Sequence, residues 1–238
     1  MEHLTNLNLL TERTGITDKN KLLRLIAYAK SIHSENMKYN LTGHKTLDET
    51  IENLIIGSLE PVKNLDVPRG TLFGDMGTGA GIPGIPLGIK YDESRGILFD
   101  SNQKKIRFVN KTASDLGINT VQGIDIRVED AGRDNKYRGK FDFIFTRAMS
   151  DIYTIAELGS PLLKTGGIIY LYINKSQEDL NNHIKEHITE LGLSADAAPV
   201  LKGMTKDNIT EGMILTKIKE TDDKYPRRMP VIKRMAMK

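Results

Sequence analysis

One stretch decides the fold of this chain: Thr71-Leu-Phe-Gly-Asp-Met-Gly-Thr-Gly-Ala-Gly-Ile-Pro-Gly-Ile-Pro86. Its apolar start predicts a buried strand over 71–75, alternating glycines predict a turn over 77–81, and a helical pattern begins near Ile82. A strand, a glycine turn and a helix together place backbone N–H groups at a helix N-terminus, where ligands bind. Glycine also reaches positive φ and lets a ligand approach the main chain closely. The stretch therefore predicts a site for a small molecule.

The glycines can be interpreted in two ways. Gly79-Ala-Gly-Ile-Pro-Gly84 satisfies the G-x-G-x-x-G pattern of nicotinamide and flavin sites, which is a weak signal when it stands alone. In the second interpretation Asp75 precedes Gly77, Gly79 and Gly81. A carboxylate beside the turn attracts a ligand ammonium group and repels a diphosphate. The second interpretation therefore favours S-adenosyl-L-methionine, and the nicotinamide alternative stays open.

Two later positions extend the predicted cofactor site. Asp100 ends the second predicted strand, where a carboxylate can accept hydrogen bonds from both ribose hydroxyls. Either cofactor has such a ribose, so Asp100 supports the pocket without choosing between them. Arg127-Val-Glu-Asp130 follows the third predicted strand and offers acceptors for an adenine amino group. Taken alone, Glu129 and Asp130 are better explained as the acids that commonly stand at a helix N-terminus.

The rest of the chain alternates between strand and helix patterns. Alternating βα units predict an α/β fold with a mostly parallel sheet that is covered by helices on both faces. We expect a helical cap over 1–66, the main domain over 67–220 and a basic tail over 221–238. The predicted strands are 71–75, 96–100, 118–123, 141–146, 167–173, 196–201 and 212–218, and the last two form an antiparallel pair.

Several helix signals accompany these strands. Apolar spacing predicts an amphipathic helix over 20–40. Thr46-Leu-Asp-Glu49 is a capping box that begins a second helix. Ser101 is predicted to cap the helix that follows the second strand, with Gly117 just beyond its end. Further helices are expected over 151–163 and 177–191.

Composition excludes several classes of function. The 238 residues include no cysteine, so disulfides, a thiolate nucleophile and sulfur-ligated metals are excluded. The start of the chain lacks the pattern of a signal peptide, and no apolar run is long enough for a membrane span, so we expect a cytoplasmic protein. His183 and His187 have zinc-like spacing, but no third ligand accompanies them, and no metal site is predicted.

Charge is distributed unevenly along the chain. The formal net charge is +3, and the segment from residue 224 onward contains Lys and Arg residues but no Asp or Glu. A basic end on a slightly acidic body indicates a local contact with a polyanion, or a solubilising disordered end.

These motifs together resemble a known family. The chain is similar to the bacterial 16S ribosomal RNA guanine-N7 methyltransferases once called glucose-inhibited division protein B. The likeness extends from about Leu22 to Tyr170, and its most specific part is the glycine-proline stretch. The other matching motifs are Tyr39-Asn-Leu-Thr42, Phe99-Asp-Ser101, Lys104-Lys-Ile-Arg-Phe108, Arg127-Val-Glu-Asp130 and Thr146-Arg-Ala-Met149.

The resemblance implies a Rossmann-like class I methyltransferase with a seven-stranded sheet and S-adenosyl-L-methionine as cofactor. It implies that Gly77 and Ile82 hold the cofactor, that Asp100 lies at its ribose, and that Val128 and Glu129 lie near its adenine. It also implies that Arg147 lies at the rim facing cofactor and substrate, where we expect it to position the substrate. The predicted cofactor-binding set is therefore Asp75, Gly77, Gly79, Gly81, Ile82, Asp100, Val128, Glu129 and Arg147.

The implied substrate is a guanosine of 16S ribosomal RNA, as naked RNA or in the small subunit, methylated by a monomer. Guanine N7 exposes a lone pair and loses no proton, so no general base is expected, and catalysis rests on alignment and exclusion of water. Two alternatives stay open: a non-catalytic RNA-binding or ribosome assembly factor, and a nicotinamide-dependent oxidoreductase. Predicted RNA contacts are Lys104, Lys105, Arg107, Arg227, Arg228, Lys233 and Arg234.

Overall fold

A computed structural model of the chain describes residues 2–38, 41–174, 180–195, 201–204 and 209–237. These residues form eight strands: β1 Leu72–Met76, β2 Arg95–Asp100, β3 Val121–Asp125, β4 Phe141–Arg147, β5 Leu163–Asn174, β6 Leu193–Ser194, β7 Leu201–Met204 and β8 Ile209–Lys217. The strands make one sheet in the order β3-β2-β1-β4-β5-β8-β6, and β7 also pairs with β8. Strands β1 to β5 run parallel to one another, whereas β8 runs antiparallel to β5, β6 and β7. Because β6 and β7 both pair along β8, the eight strands occupy seven positions. This arrangement confirms the predicted Rossmann-like fold.

Strands β1 to β5 and β8 overlap six of the seven predicted strands, whereas β6 was not predicted. The strand expected over 196–201 falls mostly outside the described residues. Antiparallel pairing of β7 with β8 agrees with the expected pairing of the last two strands.

Ten α-helices are described, together with a π-helical turn at Thr50–Ile56 and a 3₁₀ turn at Ser160–Leu162. The α-helices are α1 Glu2–Thr14, α2 Lys19–Asn36, α3 Leu47–Glu49, α4 Gly57–Leu59, α5 Gly84–Lys90, α6 Gln103–Asp115, α7 Val128–Ala131, α8 Ile152–Gly159, α9 Asn182–Glu190 and α10 Met229–Ala236.

Two hydrophobic clusters cover the two faces of the sheet. The first joins α1 to α6 with sheet residues such as Phe73 and Phe145, so the N-terminal helices share their core with the sheet. The second joins α7 to α10 with sheet residues such as Phe99 and Ile144. The amphipathic pattern of α2 agrees with this placement, since its apolar residues are buried in the first cluster.

Local signals account for several helix ends. The capping box is present, with the Thr46 side chain accepting from the Glu49 amide. Asn102, and not the predicted Ser101, caps α6, because its side chain accepts from the amides of Lys104 and Lys105. The helix expected after Thr46 changes to a π-helical turn at Thr50–Ile56. Within the described residues, no helix is both long and apolar enough to span a membrane.

Candidate active site

The glycine loop follows β1 at the carboxyl edge of the parallel strands. Gly77, Gly79 and Gly81 all have positive φ, of 71°, 57° and 98°. A Cβ at Gly77 would lie 2.8 Å from Met149 Cγ, and one at Gly81 would lie 2.7 Å from Ile85 Cδ1. Both the backbone conformation and the close packing therefore require glycine at 77 and 81.

Asp75 braces this loop from below. Its Oδ2 accepts from the Thr78 hydroxyl at 2.6 Å and from the Gly84 amide at 2.8 Å, which ties the end of β1 to both sides of the loop. The carboxylate is fully buried, and burial raises its pKa to about 7 against the lowering effect of these two hydrogen bonds. Its Oδ1 is buried and has no hydrogen-bond partner among the described residues. Asp75 thus lies under the loop, as part of its support.

Asp100 stands at the end of β2 beside the same loop. Its Oδ2 accepts from the Gly79 amide at 2.9 Å, and its Oδ1 accepts from the Asn102 amide at 2.8 Å. An ionised carboxylate has about four acceptor sites. These two contacts orient the group and leave further acceptor sites on its oxygens, so the predicted role at a ribose stays a prediction.

A cavity of about 240 Å³ opens at this edge of the sheet. Of the predicted cofactor residues, Gly77, Asp100, Val128 and Glu129 line it. Asp75, Gly79, Gly81, Ile82 and Arg147 are not among its lining residues. The volume is just below the range of about 300 to 1,000 Å³ that small-molecule pockets span. The cavity offers carboxylate acceptors, and the open space beside Gly79 lets a ligand approach the backbone of the glycine loop. These features suit a ligand that carries an adenosyl group.

The N-terminal helices hold the glycine loop from the other side. The hydroxyl of Tyr28, on α2, donates to the Ala80 carbonyl oxygen at 2.8 Å. Tyr28 is fully buried, and burial together with the nearby Asp75 charge raises its pKa well above the usual value. The hydroxyl therefore stays protonated and keeps donating to the loop. Nothing local in the sequence marks Tyr28 for this role, since it reads as an ordinary buried position of α2.

Arg147 projects from the end of β4 into the N-terminal helices. Its Nη2 donates to the Asn53 carbonyl at 2.6 Å, and its Nη1 donates to the Leu54 carbonyl at 3.3 Å and to the Ser58 hydroxyl at 3.2 Å. The π-helical turn presents these carbonyls to the guanidinium. A Cβ at Gly57 would lie 3.0 Å from Nη2, so glycine makes room for the side chain.

The contacts of Arg147 define what it can do. A guanidinium has five N–H donors, and the three recorded bonds leave two without a described partner. Burial lowers the pKa of Arg147, but arginine stays charged at neutral pH. The residue therefore fixes the N-terminal helices to the carboxyl edge of the sheet.

A second, larger cavity of about 570 Å³ lies between α2 and α6. We call it the basic groove, because five cationic side chains line it: Lys30, Lys38, Lys104, Arg107 and Lys111. Lys104 and Arg107 were predicted RNA contacts. The third predicted contact on α6, Lys105, is not among the lining residues. The contribution of α2 to this surface was not predicted.

The four predicted RNA contacts of the tail have different surroundings. Arg227 forms a two-pronged ion pair with the buried Glu157, at 2.9 Å from Nε to Oε1 and 2.5 Å from Nη2 to Oε2. Arg228 is the exposed N-cap position of α10, and Arg234 is exposed on that helix. Lys233 lines the cavity beside the glycine loop. The structure thus does not bring the four together on one surface.

Other side chains of the 240 Å³ cavity were not predicted from sequence. Thr154 and Leu158 come from α8, and Met229 comes from α10. No pattern in the sequence points to them, because they reach the cavity only through the packing of α8 and α10 on the sheet. In the described part of the chain, no group of three or more His, Cys, Asp or Glu residues could hold a metal ion.

Comparison with known proteins adds to this geometry. Residues 21–209 match the family model GidB, described as rRNA small subunit methyltransferase G. The chain is 35% identical over 196 residues to ribosomal RNA small subunit methyltransferase G of Fervidobacterium nodosum, covering 82% of this chain and 90% of that protein. It is 30% identical over 228 residues to the protein of the same name from Clostridium botulinum strain Loch Maree, covering 92% and 91%.

The fold is similar to that of a solved structure, M. jannaschii TYW2 in complex with AdoMet, with a TM-score of 0.52 and 16% identity over 68% of this chain and 77% of that one. At that identity the likeness concerns the fold alone. The family model covers most of the chain, and the two relatives match along nearly their whole length. On these grounds the chain belongs to the rRNA small subunit methyltransferase G family.

Proposed function

We propose that this protein transfers a methyl group from S-adenosyl-L-methionine to N7 of a guanosine in 16S ribosomal RNA. The observation that carries the proposal is the braced glycine loop beside Asp100 and a cavity, in a chain of the rRNA small subunit methyltransferase G family. TYW2 of M. jannaschii, whose fold is similar, was solved with AdoMet bound.

Different residues of the cavity would bind different parts of the cofactor. Asp100 would accept from the ribose hydroxyls, Val128 and Glu129 would face the adenine, and the loop at Gly77 would lie against the amino-acid part. When bound, S-adenosyl-L-methionine supplies a methyl group activated by a sulfonium. Guanine N7 carries no proton to remove, so the chain has to align and desolvate the reacting groups and supplies no base.

Arg147 acts in this proposal as a positioning residue. Three of its donors fix the π-helical turn and the adjoining α4 to the carboxyl edge, and two more would be left for a substrate phosphate or base. Because the turn and the cavity flank the same edge, the guanidinium would set where the substrate enters relative to the glycine loop.

The basic groove is the proposed contact for the RNA backbone. Lys30 on α2 and Lys104 and Arg107 on α6 face one concave surface, which suits a row of phosphates. The acidic residues Glu35 and Asp115 also line it, each close to a lysine. Binding through such contacts weakens steeply as salt rises, with a slope of about 0.9 per phosphate contact for duplexes.

The two alternatives have no support from the comparisons: neither a nicotinamide oxidoreductase nor a non-catalytic assembly factor is favoured by family or fold. The proposal includes action as a monomer in the cytoplasm, where ribosomal RNA is available.

The decisive test is transfer of labelled methyl from S-adenosyl-L-methionine to small ribosomal subunits that lack the modification. Strand cleavage selective for N7-methylguanosine then maps the label. One labelled guanosine in 16S RNA is the expected result. Tight binding of S-adenosylhomocysteine without transfer would overturn the substrate, and absence of binding would overturn the cofactor as well.

The basic groove is tested separately with two matched variants on α6. Lys104→Ala is expected to lower the salt slope of RNA binding by about one phosphate contact, whereas Lys105→Ala, outside the groove lining, is expected to leave it unchanged. Equal slopes for the two variants would remove the groove from the proposal.

A further inference from the structure

The chain after β8 docks onto the second face of the sheet. Tyr225 is buried there, and the Arg227 amide and guanidinium both bond to Glu157 on α8. Burial would raise the pKa of Glu157, but the hydrogen bonds from Arg227 outweigh it and lower the pKa to about 2. The carboxylate is therefore charged at neutral pH, and the ion pair fixes the chain directly before α10.

The far end of α10 is also held. The Nε2 atom of His183, on α9, lies 2.9 Å from the Met235 carbonyl oxygen. Between the two ends, Ile232 is fully buried in the second hydrophobic cluster. Contacts before, within and at the end of the helix thus fix α10 against α8 and α9.

This docking turns one side of α10 toward the glycine loop. Met229 and Lys233 are four residues apart, so they lie on one face of the helix. Both line the cavity that Gly77, Asp100 and Glu129 also line. For Lys233, no hydrogen bond or ion pair with another described residue is recorded, and its neighbours across the cavity include two carboxylates.

We infer that α10 forms a wall of the cofactor site, with Met229 and the stem of Lys233 covering the adenosyl part of the bound molecule. This inference rests on the proposed cofactor. Met229 adds apolar surface against the nucleoside, and the Lys233 ammonium stays at the rim, where it compensates Asp100 and Glu129. The C-terminal segment is then part of the cofactor site, and Lys233 serves the cofactor, whereas the sequence assigned it to RNA.

The chain offers two matched control pairs for a binding test. Met229→Ala is compared with Met237→Ala, because Met237 is exposed at the end of the same helix. Lys233→Ala is compared with Arg234→Ala, because both are exposed cations of α10 but only Lys233 lines the cavity. Calorimetry measures the dissociation constant of S-adenosylhomocysteine, and thermal unfolding without ligand verifies that each variant is folded.

We expect Met229→Ala and Lys233→Ala each to weaken binding by roughly five- to tenfold, the order of factor that one lost side-chain contact produces. The two controls are expected to bind like the unchanged protein. If all four variants bind equally well, the inference about α10 is wrong and the cofactor assignment stands. If the unchanged protein fails to bind S-adenosylhomocysteine, the proposed cofactor and the inference are both overturned.

A second measurement reports on the position of α10 itself. Trypsin cleaves after Lys233 and Arg234 only when this part of the helix opens. Saturating S-adenosylhomocysteine is expected to slow cleavage at these two bonds by at least about fivefold, because binding stabilises the closed state by mass action. Unchanged cleavage at both bonds would contradict contact between α10 and the ligand.

Discussion

Replacing Asp75 tests whether the brace under the glycine loop controls both stability and cofactor binding. Two variants separate its functions. Asp75→Ala removes the acceptor of the Thr78 hydroxyl and the Gly84 amide, and both donors are buried. Asp75→Asn keeps one oxygen that can accept from both, and its NH₂ group replaces the oxygen that has no described partner.

The difference in the free energy of unfolding between the two variants measures what the two hydrogen bonds contribute to stability. A buried donor left without an acceptor costs about 1 to 3 kcal/mol, so Asp75→Ala is expected to unfold about 2 to 6 kcal/mol more easily than Asp75→Asn. Urea unfolding at pH 7 measures this difference. The loop should also lose its shape in Asp75→Ala, and calorimetry is expected to show at least tenfold weaker binding of S-adenosylhomocysteine.

The comparison of Asp75→Asn with the unchanged protein measures how protonation of Asp75 contributes to stability. The pKa of Asp75 is raised in the fold from 3.8 to about 7, so the native state binds a proton that the unfolded state has lost. The unchanged protein should therefore lose stability relative to Asp75→Asn as pH rises from about 4 to 7, by up to about 4 kcal/mol. Equal stability of the Ala and Asn variants, or a pH-independent difference between Asp75→Asn and the unchanged protein, would refute this account.

Three more predictions follow from the site. Gly77→Ala is expected to abolish measurable S-adenosylhomocysteine binding in calorimetry, because a Cβ would meet Met149 and the φ of 71° strains an L-residue by about 1 kcal/mol or more; wild-type affinity would contradict it. Arg147→Ala should lower the free energy of unfolding in urea by about 2 to 4 kcal/mol, since two carbonyls of the π-helical turn and the Ser58 hydroxyl of α4 lose a donor, and Arg147→Lys should recover only part of that loss. The pKa of Glu157 lies at about 2, below its ordinary 4.5, so its pairing with Arg227 stabilises fully above pH 4.5 and is lost as pH falls toward 2; melting curves should show this acid-dependent loss relative to Glu157→Gln, and parallel curves would disprove it.

Much of the site could be predicted because its determinants are local or follow from sheet topology. Alternating glycines after a strand require a tight turn, whatever surrounds them. Parallel strands end at one edge, so Asp100 had to lie near the loop that follows β1. The register of β1 with β2 confirms this, since Asp75 pairs with Leu98 and Met76 with Phe99.

Other roles could not be predicted because they depend on packing between distant segments. Arg147 lies more than 90 residues from Asn53, and no local pattern states that its guanidinium bonds to a π-helical turn. Likewise, Asp75 was expected to face the ligand, but the closing of the loop over it turns the carboxylate into a buried brace.

The C-terminal segment shows this division most clearly. The sequence of this segment determined that it is basic. From charge alone, a disordered end and a contact with a polyanion were equally good interpretations. The tertiary structure decided that Arg227 pairs with Glu157, 70 residues earlier, and that α10 reaches the cavity. The physical reason is that a helix of eight residues is marginal by itself, and its position is set by the buried surface and ion pair that a distant helix provides.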